Sequence, residues 1–236
     1  EMMNLPQFAD YQQQVTADLG LQLNQRYLDP SLLGPGTDWQ DEVFRKAGMH
    51  SHQLSVTGGT DKTTYAISGG LFQQDGIIIG SDFNRYTTRI NLDNQVKSWL
   101  KVGGSFAYAN TNEKITLNDG GDGVIIQSLV MAPDVPVKDI NGEYAGPEVQ
   151  AGASSYNPVA AALQRNNTLK RQRIMANVYG DLTLMKGLTF RSELSFDDNN
   201  SINKAFQPTY KWGVLVNREN QLRQREESSL FWIIKN

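Results

Sequence analysis

Apolar and polar residues alternate along much of the chain, and alternation sends successive side chains to opposite faces of an extended strand. Over 63–72, Tyr65, Ile67 and Leu71 share one face and Thr64, Ala66, Ser68 and Gly70 the other. Over 84–96, Tyr86, Thr88, Ile90 and Leu92 oppose Arg85, Thr87, Arg89, Asn91 and Asp93. The pattern recurs over 100–110, 170–184 and 188–197, where Val102, Phe106, Val178, Leu182, Phe190 and Leu194 stand on apolar faces. Lys101, Arg173, Asp181, Arg191 and Glu193 stand on the polar faces of those segments. Shorter stretches at 52–58 and 228–235 complete a predicted set of seven strands. Strands of about 10 residues, tilted near 45°, cross a hydrocarbon layer.

A soluble sandwich also alternates, so the connections have to decide. The links 59–62, 97–99 and 185–187 are short, whereas 73–83, 111–169 and 198–227 are long. Short and long links alternate strictly. An up-and-down antiparallel sheet does this when one end meets a confined space and the other an open one, as outer-membrane barrels do. A Greek-key sandwich has no reason to segregate loop lengths to one edge. Tyr65, Tyr86, Trp99, Phe106, Tyr108, Phe190 and Phe196 lie on or near the apolar faces, several close to strand ends, where barrels gather aromatic rings. Ordinary cross-strand aromatic pairs in a soluble sheet are the competing explanation. The predicted fold is therefore all-β: part of an antiparallel, up-and-down transmembrane β-barrel with short helices in its external loops. The alternative is a soluble β-sandwich that binds carbohydrate.

Two stretches read as helix. Leu5, Phe8, Tyr11, Gln12 and Val15 fall at helical spacing, with Pro6 in the first turn, and Gly34-Pro35-Gly36 interrupts the irregular chain beyond them. Residues 122–131 suggest a short amphipathic helix capped by Asp122 and ended before Pro133. Asn141-Gly142 is a hairpin-turn signal. Residues 1–50 are thus expected to form an external loop region with a short helix, and 51–236 a partial barrel wall. A connection as long as 111–169, with its own helix and hairpin, points to contact with a ligand or a partner protein.

Composition narrows the chemistry. Hydrophobic residues make up 39% of the 236 residues, and the mean hydropathy is -0.46. A barrel wall tolerates both values, since only alternate residues meet lipid. The net charge of -3 offers nucleic acid no electrostatic attraction. The absence of cysteine removes disulfides, thiolate metal sites and thiol nucleophiles. No apolar run reaches the roughly 18 residues of a spanning helix. The opening EMMNLPQFADY lacks a basic stretch followed by an apolar one, so no signal peptide is expected in this sequence.

His50 and His52 could share a strand face, but no third ligand stands at a recognisable spacing. Asn118-Asp119-Gly120-Gly121-Asp122-Gly123 lacks the acidic positions of a calcium loop. No hydrolase, zinc-protease or phosphate-loop motif occurs. Asp197-Asp198 and Glu226-Glu227 are neighbours that point to opposite faces of a strand, so neither pair can flank one bond. The reading is a non-enzyme without catalytic, cofactor or metal residues. Arg85, Arg89, Asp93, Lys101, Arg173, Asp181, Arg191 and Glu193 are its candidate lumen-facing polar residues, with ion pairing among them as their first role.

Several blocks resemble the SusC/RagA class of TonB-linked outer-membrane proteins. They are Thr37-Asp38-Trp39-Gln40-Asp41-Glu42-Val43-Phe44, His52-Gln53-Leu54-Ser55-Val56-Thr57-Gly58-Gly59 and Thr63-Thr64-Tyr65-Ala66-Ile67-Ser68. Gln74-Asp75-Gly76-Ile77, the stretch 83–92, Ser155-Tyr156-Asn157-Pro158 and Lys186-Gly187-Leu188-Thr189-Phe190-Arg191 continue the match. The resemblance implies a barrel of about 22 strands with a plugged lumen, residing in the outer membrane and its lipid. It implies a SusD-like surface lipoprotein as lid and import of glycans, oligosaccharides or peptides. It also implies energy from the TonB complex, delivered through segments of the family pattern that this chain does not match.

Overall fold

Stretches of alternating apolar and polar residues seed seven long strands, and these strands make one sheet. The computed structural model describes residues 2–116, 123–148 and 155–236. Strands β1 (Met49–Gly59), β2 (Thr63–Asp75), β3 (Asp82–Lys97), β4 (Leu100–Lys114), β5 (Asn166–Met185) and β6 (Leu188–Gln207) follow in order. The short strands β7 (Tyr210–Trp212) and β8 (Leu215–Asn217) precede β9 (Gln221–Lys235). The sheet order is β1-β2-β3-β4-β5-β6-β9, and β7 and β8 pair only with each other. Every pairing is antiparallel, so this is an up-and-down meander.

The register carries single rows of one character across all seven strands. Val56, Ile67, Ile90, Phe106, Ala176, Phe196 and Trp232 stand side by side. Among the described residues no second layer covers this apolar face: Ile90 is 40% exposed, Val102 38%, Val178 58% and Leu194 45%. A sandwich would bury these side chains against a facing sheet, and the seven strands form one sheet only. The sandwich alternative is thereby set aside. The sheet is open, with β1 and β9 at its edges.

The strands are longer than the alternation indicates. β5 and β6 run to 20 residues each, about 65 Å at 3.3 Å per residue, where a tilted membrane strand needs about 10. The excess lies at one end, in the first half of β5, the second half of β6 and the first half of β9. The positions 73–75, 111–114, 166–169, 198–207 and 221–227, read from the sequence as loop, are in paired strands. Hydrophobic period marks a strand only where one face is apolar. Asn200, Lys204, Gln224 and Glu226 keep the ladder going with polar side chains on the outer face as well, so the pattern fades while the backbone pairing does not.

The true connections therefore shorten, and at this end they fold together. Helix α1 (Leu5–Asp18) starts at a capping box of Asn4 and Gln7, with Pro6 in its first turn as expected. α2 (Trp39–Val43) is capped by Asp38, α3 (Val124–Val130) begins after Gly123 without a side-chain cap, and α4 (Pro158–Gln164) is capped by Asn157. The expected cap Asp122 lies outside the described residues, as do 118–121. The 141–142 turn closes one antiparallel bridge, Lys138 to Tyr144, in place of a hairpin of any length.

The buried apolar core of the described residues sits here and nowhere in the sheet. Trp39, Val43, Ile78, Val124, Met131, Val135, Tyr156, Val159 to Ala162 and Trp212 form one cluster. At the opposite end the strands are joined only by the turns 60–62, 98–99 and 186–187.

Candidate functional site

The molecule offers two surfaces with chemistry: the polar face of the sheet, and the packed cap at the end of the long connections. The eight polar residues selected from the sequence share one face by register, but they do not converge on one point.

Asp93, Lys101, Asp181 and Arg191 gather near the short-turn end around Tyr179. Arg191 lies 4.1 Å over the Tyr179 ring and 3.3 Å from Asp181, and the Lys101 ammonium is 5.7 Å from the same ring and 3.9 Å from Asp93. The Tyr179 hydroxyl donates to Asp93 although β4 lies between their strands. Gly103 makes this possible. A Cβ there would sit 2.7 Å from the Tyr179 ring and 2.2 Å from the Asp93 carboxylate, so only glycine lets the ring pass across β4.

Among the described residues Glu193 has no arginine partner, although ion pairing is the role expected of it. It accepts from Asn177 Nδ2 at 2.7 Å and Ser195 Oγ at 3.1 Å, because Asn177 stands diagonally across the β5–β6 ladder. Arg173 instead forks onto Asp197 with bonds of 2.9 and 2.6 Å, again a diagonal neighbour. Arg85 stacks 5.7 Å above the Phe72 ring toward the cap end. Arg89 lines an inner-face hollow of about 440 Å³ with Ser68, Thr87 and Ala107. Among the described residues neither Arg85 nor Arg89 forms an ion pair. The face is thus a scatter of fixed charges with a cationic, amide-rich surplus toward the cap.

The cap is a built structure, and its sequence motifs are its fasteners. Thr37 holds the 133–135 loop twice: its N–H donates to Pro133 O at 2.9 Å and its hydroxyl to Val135 O at 2.7 Å. Trp39 Nε1 donates to Ala132 O at 3.0 Å. Asn157, fully buried, accepts from the Ala160 N–H at 2.9 Å and donates to Val137 O at 2.8 Å and Ala145 O at 2.9 Å. Tyr210 stacks on Trp212 at 3.8 Å, and Trp212 Nε1 donates to Gln164 Oε1 at 3.0 Å. Gly76 N–H donates to Ser81 O at 2.9 Å, turning the chain between β2 and β3.

α1 is tied on through Tyr27 and Arg26. Tyr27 meets Phe8 edge-to-face at 5.8 Å, its hydroxyl donates to Asp134, and Arg26 donates to Asp134 at 2.9 Å and Glu148 at 2.5 Å. Burial, followed by the bond to Asp134, holds the Tyr27 hydroxyl well above its ordinary pKa.

Between cap and sheet lies a cleft of about 450 Å³. Its cap wall is Val124, Ala161 and Ala162, its sheet wall includes Asn167, Gln207 and Gln221, and Arg165 and Arg223 line it as well. Sequence reasoning missed this site. Arg165 and Arg223 lie in strand-end segments with no alternation to place them, and only the folding of α4 onto the sheet brings them to one cavity.

His50 and His52 are exposed on β1, and among the described residues no group of three potential metal ligands occurs. No described helix is long and apolar enough to cross a membrane, which says nothing of strands.

Comparison with known proteins agrees with this architecture. No family model matches the chain. TonB-dependent receptor P3 of Formosa agariphila is 32% identical over 192 residues, 78% of this chain and 19% of that protein. TonB-dependent receptor SusC of Bacteroides thetaiotaomicron is 41% identical over 64 residues, 27% of this chain and 6% of that protein. Among solved structures, the RagAB peptide importer in its closed-closed state superposes with a TM-score of 0.70 at 22% identity, covering 97% of this chain and 29% of that one. At that identity the likeness is one of fold. The chain spans about a fifth of the length of three curated TonB-dependent receptors that it matches over 75–84% of its own length.

Proposed function

Because the chain is a segment of the SusC/RagA type of TonB-dependent receptor, we propose that it serves nutrient import across the outer membrane. In this reading its seven long strands are wall staves of a closed barrel, with the apolar face toward lipid and the polar face toward the lumen. The segment before β1 and the long connections form the external cap, which meets substrate and a SusD-like surface lipoprotein. The energy comes from the TonB complex. The role is transport, not catalysis.

The observation that carries the reading is the separation of the two ends and two faces of one sheet. The short turns suit the confined periplasm, and the ends that protrude past the apolar band carry a consolidated, partly polar structure into open space. The exposed row from Val56 to Trp232 is stable in hydrocarbon and would be an aggregation-prone patch in water. The substrate class is oligosaccharide or peptide, since the inner face of the described residues offers amides, hydroxyls and fixed charges.

The test is fractionation and uptake. The receptor carrying this segment should be recovered in the outer-membrane fraction as a heat-modifiable band, and cells lacking it should lose uptake of a labelled oligosaccharide or oligopeptide. Recovery in the soluble periplasm, or unchanged uptake of every labelled nutrient, would overturn the proposal.

A further inference from the structure

We infer that the cleft between α4 and the inner face of β5, β6 and β9 is a subsite for an anionic group of the imported substrate, a carboxylate or sulfate. This inference rests on the import reading and names the chemistry of its ligand.

Arg165 closes α4, its own N–H bonded back to Ala161 O at 3.3 Å. Its guanidinium carbon lies 4.9 Å from the centre of the Tyr156 ring and 5.9 Å from that of Trp212, with one terminal nitrogen 3.4 Å from the Tyr156 hydroxyl. Cation–π contact of this kind holds the head group in place without neutralising its charge. The Arg165 Nε atom is buried and has no hydrogen-bond partner. A buried donor left unmade is unfavourable, and native structures rarely keep one unless something else accepts from it.

Arg223 lines the same cleft from β9. No carboxylate lines the cleft among the described residues, and neither arginine takes part in an ion pair there. Arg26, Arg171, Arg173, Arg191 and Arg225 each have an acidic partner; Arg165 and Arg223 share the lack of one with Arg85 and Arg89 but differ from them in lining one cleft with each other. Two uncompensated arginines lining one cleft, whose walls also include the apolar Ile115, Val124, Phe206 and Leu222, attract an oxyanion, which can accept in a forked geometry from a guanidinium. Asn167, Gln207 and Gln221 add amide groups that suit the neighbouring hydroxyls or peptide units of an extended ligand. The cleft is open enough for a terminal or branching group and lies where the lumen meets the cap.

The experiment uses the purified, full-length receptor with its lid lipoprotein in detergent, and calorimetric binding of matched probes. One pair is an oligopeptide with a free C-terminal carboxylate and its C-terminal amide. The other is a uronic-acid oligosaccharide and its carboxyl-reduced, neutral counterpart. The wild-type complex should prefer the charged member of one pair by about tenfold, and which pair responds identifies the source of the anion. Arg223→Gln, on an exposed strand position, should abolish that preference. Arg165→Lys should weaken it while preserving charge. Equal binding of charged and neutral members in wild type, or a preference that survives Arg223→Gln, overturns the inference. In that outcome uptake of neutral nutrients persists; loss of all uptake and of the membrane-resident barrel instead marks failure of the import reading.

Discussion

The Asn157 side chain donates to Val137 O at 2.8 Å, joining the first turn of α4 to a loop 20 residues earlier in the chain. The same amide reaches Ala145 O, and its oxygen caps the helix. Three segments of the cap thus depend on one buried side chain with both amide protons and its oxygen engaged. Asn157→Ala orphans two carbonyls and one N–H, and a loss of about 3 kcal/mol is expected in local stability. Hydrogen exchange of the 124–145 amides should rise accordingly, with the strand amides of β3 to β5 unchanged. Equal protection in mutant and wild type would show that the cap is held otherwise.

Gly80 and Gly142 make a matched pair for testing close approach. Both have positive φ, +77° and +82°, so alanine at either is strained by about 1 kcal/mol. A Cβ on Gly80 would lie 2.3 Å from Ala162 O, whereas one on Gly142 meets nothing within 4 Å. Gly80→Ala should therefore push α4 off the 76–81 turn and raise protease sensitivity of the cap. Gly142→Ala should leave proteolysis near the wild-type rate.

The pH dependence of the α1 attachment is set by Tyr27. Its pKa is raised above the ordinary value of 10.0 by burial and by its bond to Asp134. Above that pH the unfolded chain loses the phenolic proton while the docked state retains it. The Tyr27 contribution is therefore intact below about pH 10 and is withdrawn as the pH rises further. Ultraviolet difference absorbance between wild type and Tyr27→Phe should show this phenol ionising later in the native protein than in denaturant.

Ile90 and Asn91 are sequence neighbours on opposite faces of β3. Lysine at Ile90, within the apolar band, should cost about 2–4 kcal/mol in a lipid bilayer and reduce the amount of heat-modifiable barrel. Lysine at Asn91 should be accommodated. Equal tolerance at both positions, measured as barrel yield in the outer-membrane fraction, would contradict a lipid-facing row.

Alternation of side chains, a strictly local property, determined much of this protein. From Tyr65-Ala66-Ile67 or Tyr86 to Leu92 one can read the strands, their faces, the tight turns and the meander, because each of these depends on neighbours in sequence. The helix at Leu5–Asp18 is legible for the same reason: its capping box and periodicity are contained in a few residues. What remained to tertiary structure was everything made by distant segments meeting. The polar extensions of β5, β6 and β9 have no apolar face to announce them, and are strands only because a partner strand continues beside them. Tyr179 reaching Asp93 depends on a glycine in the strand between, Glu193 finds Asn177 rather than an arginine by diagonal register, and Arg165 shares a cavity with Arg223 only after α4 docks. Such contacts are selected by packing in three dimensions, and spacing along the chain carries no record of them.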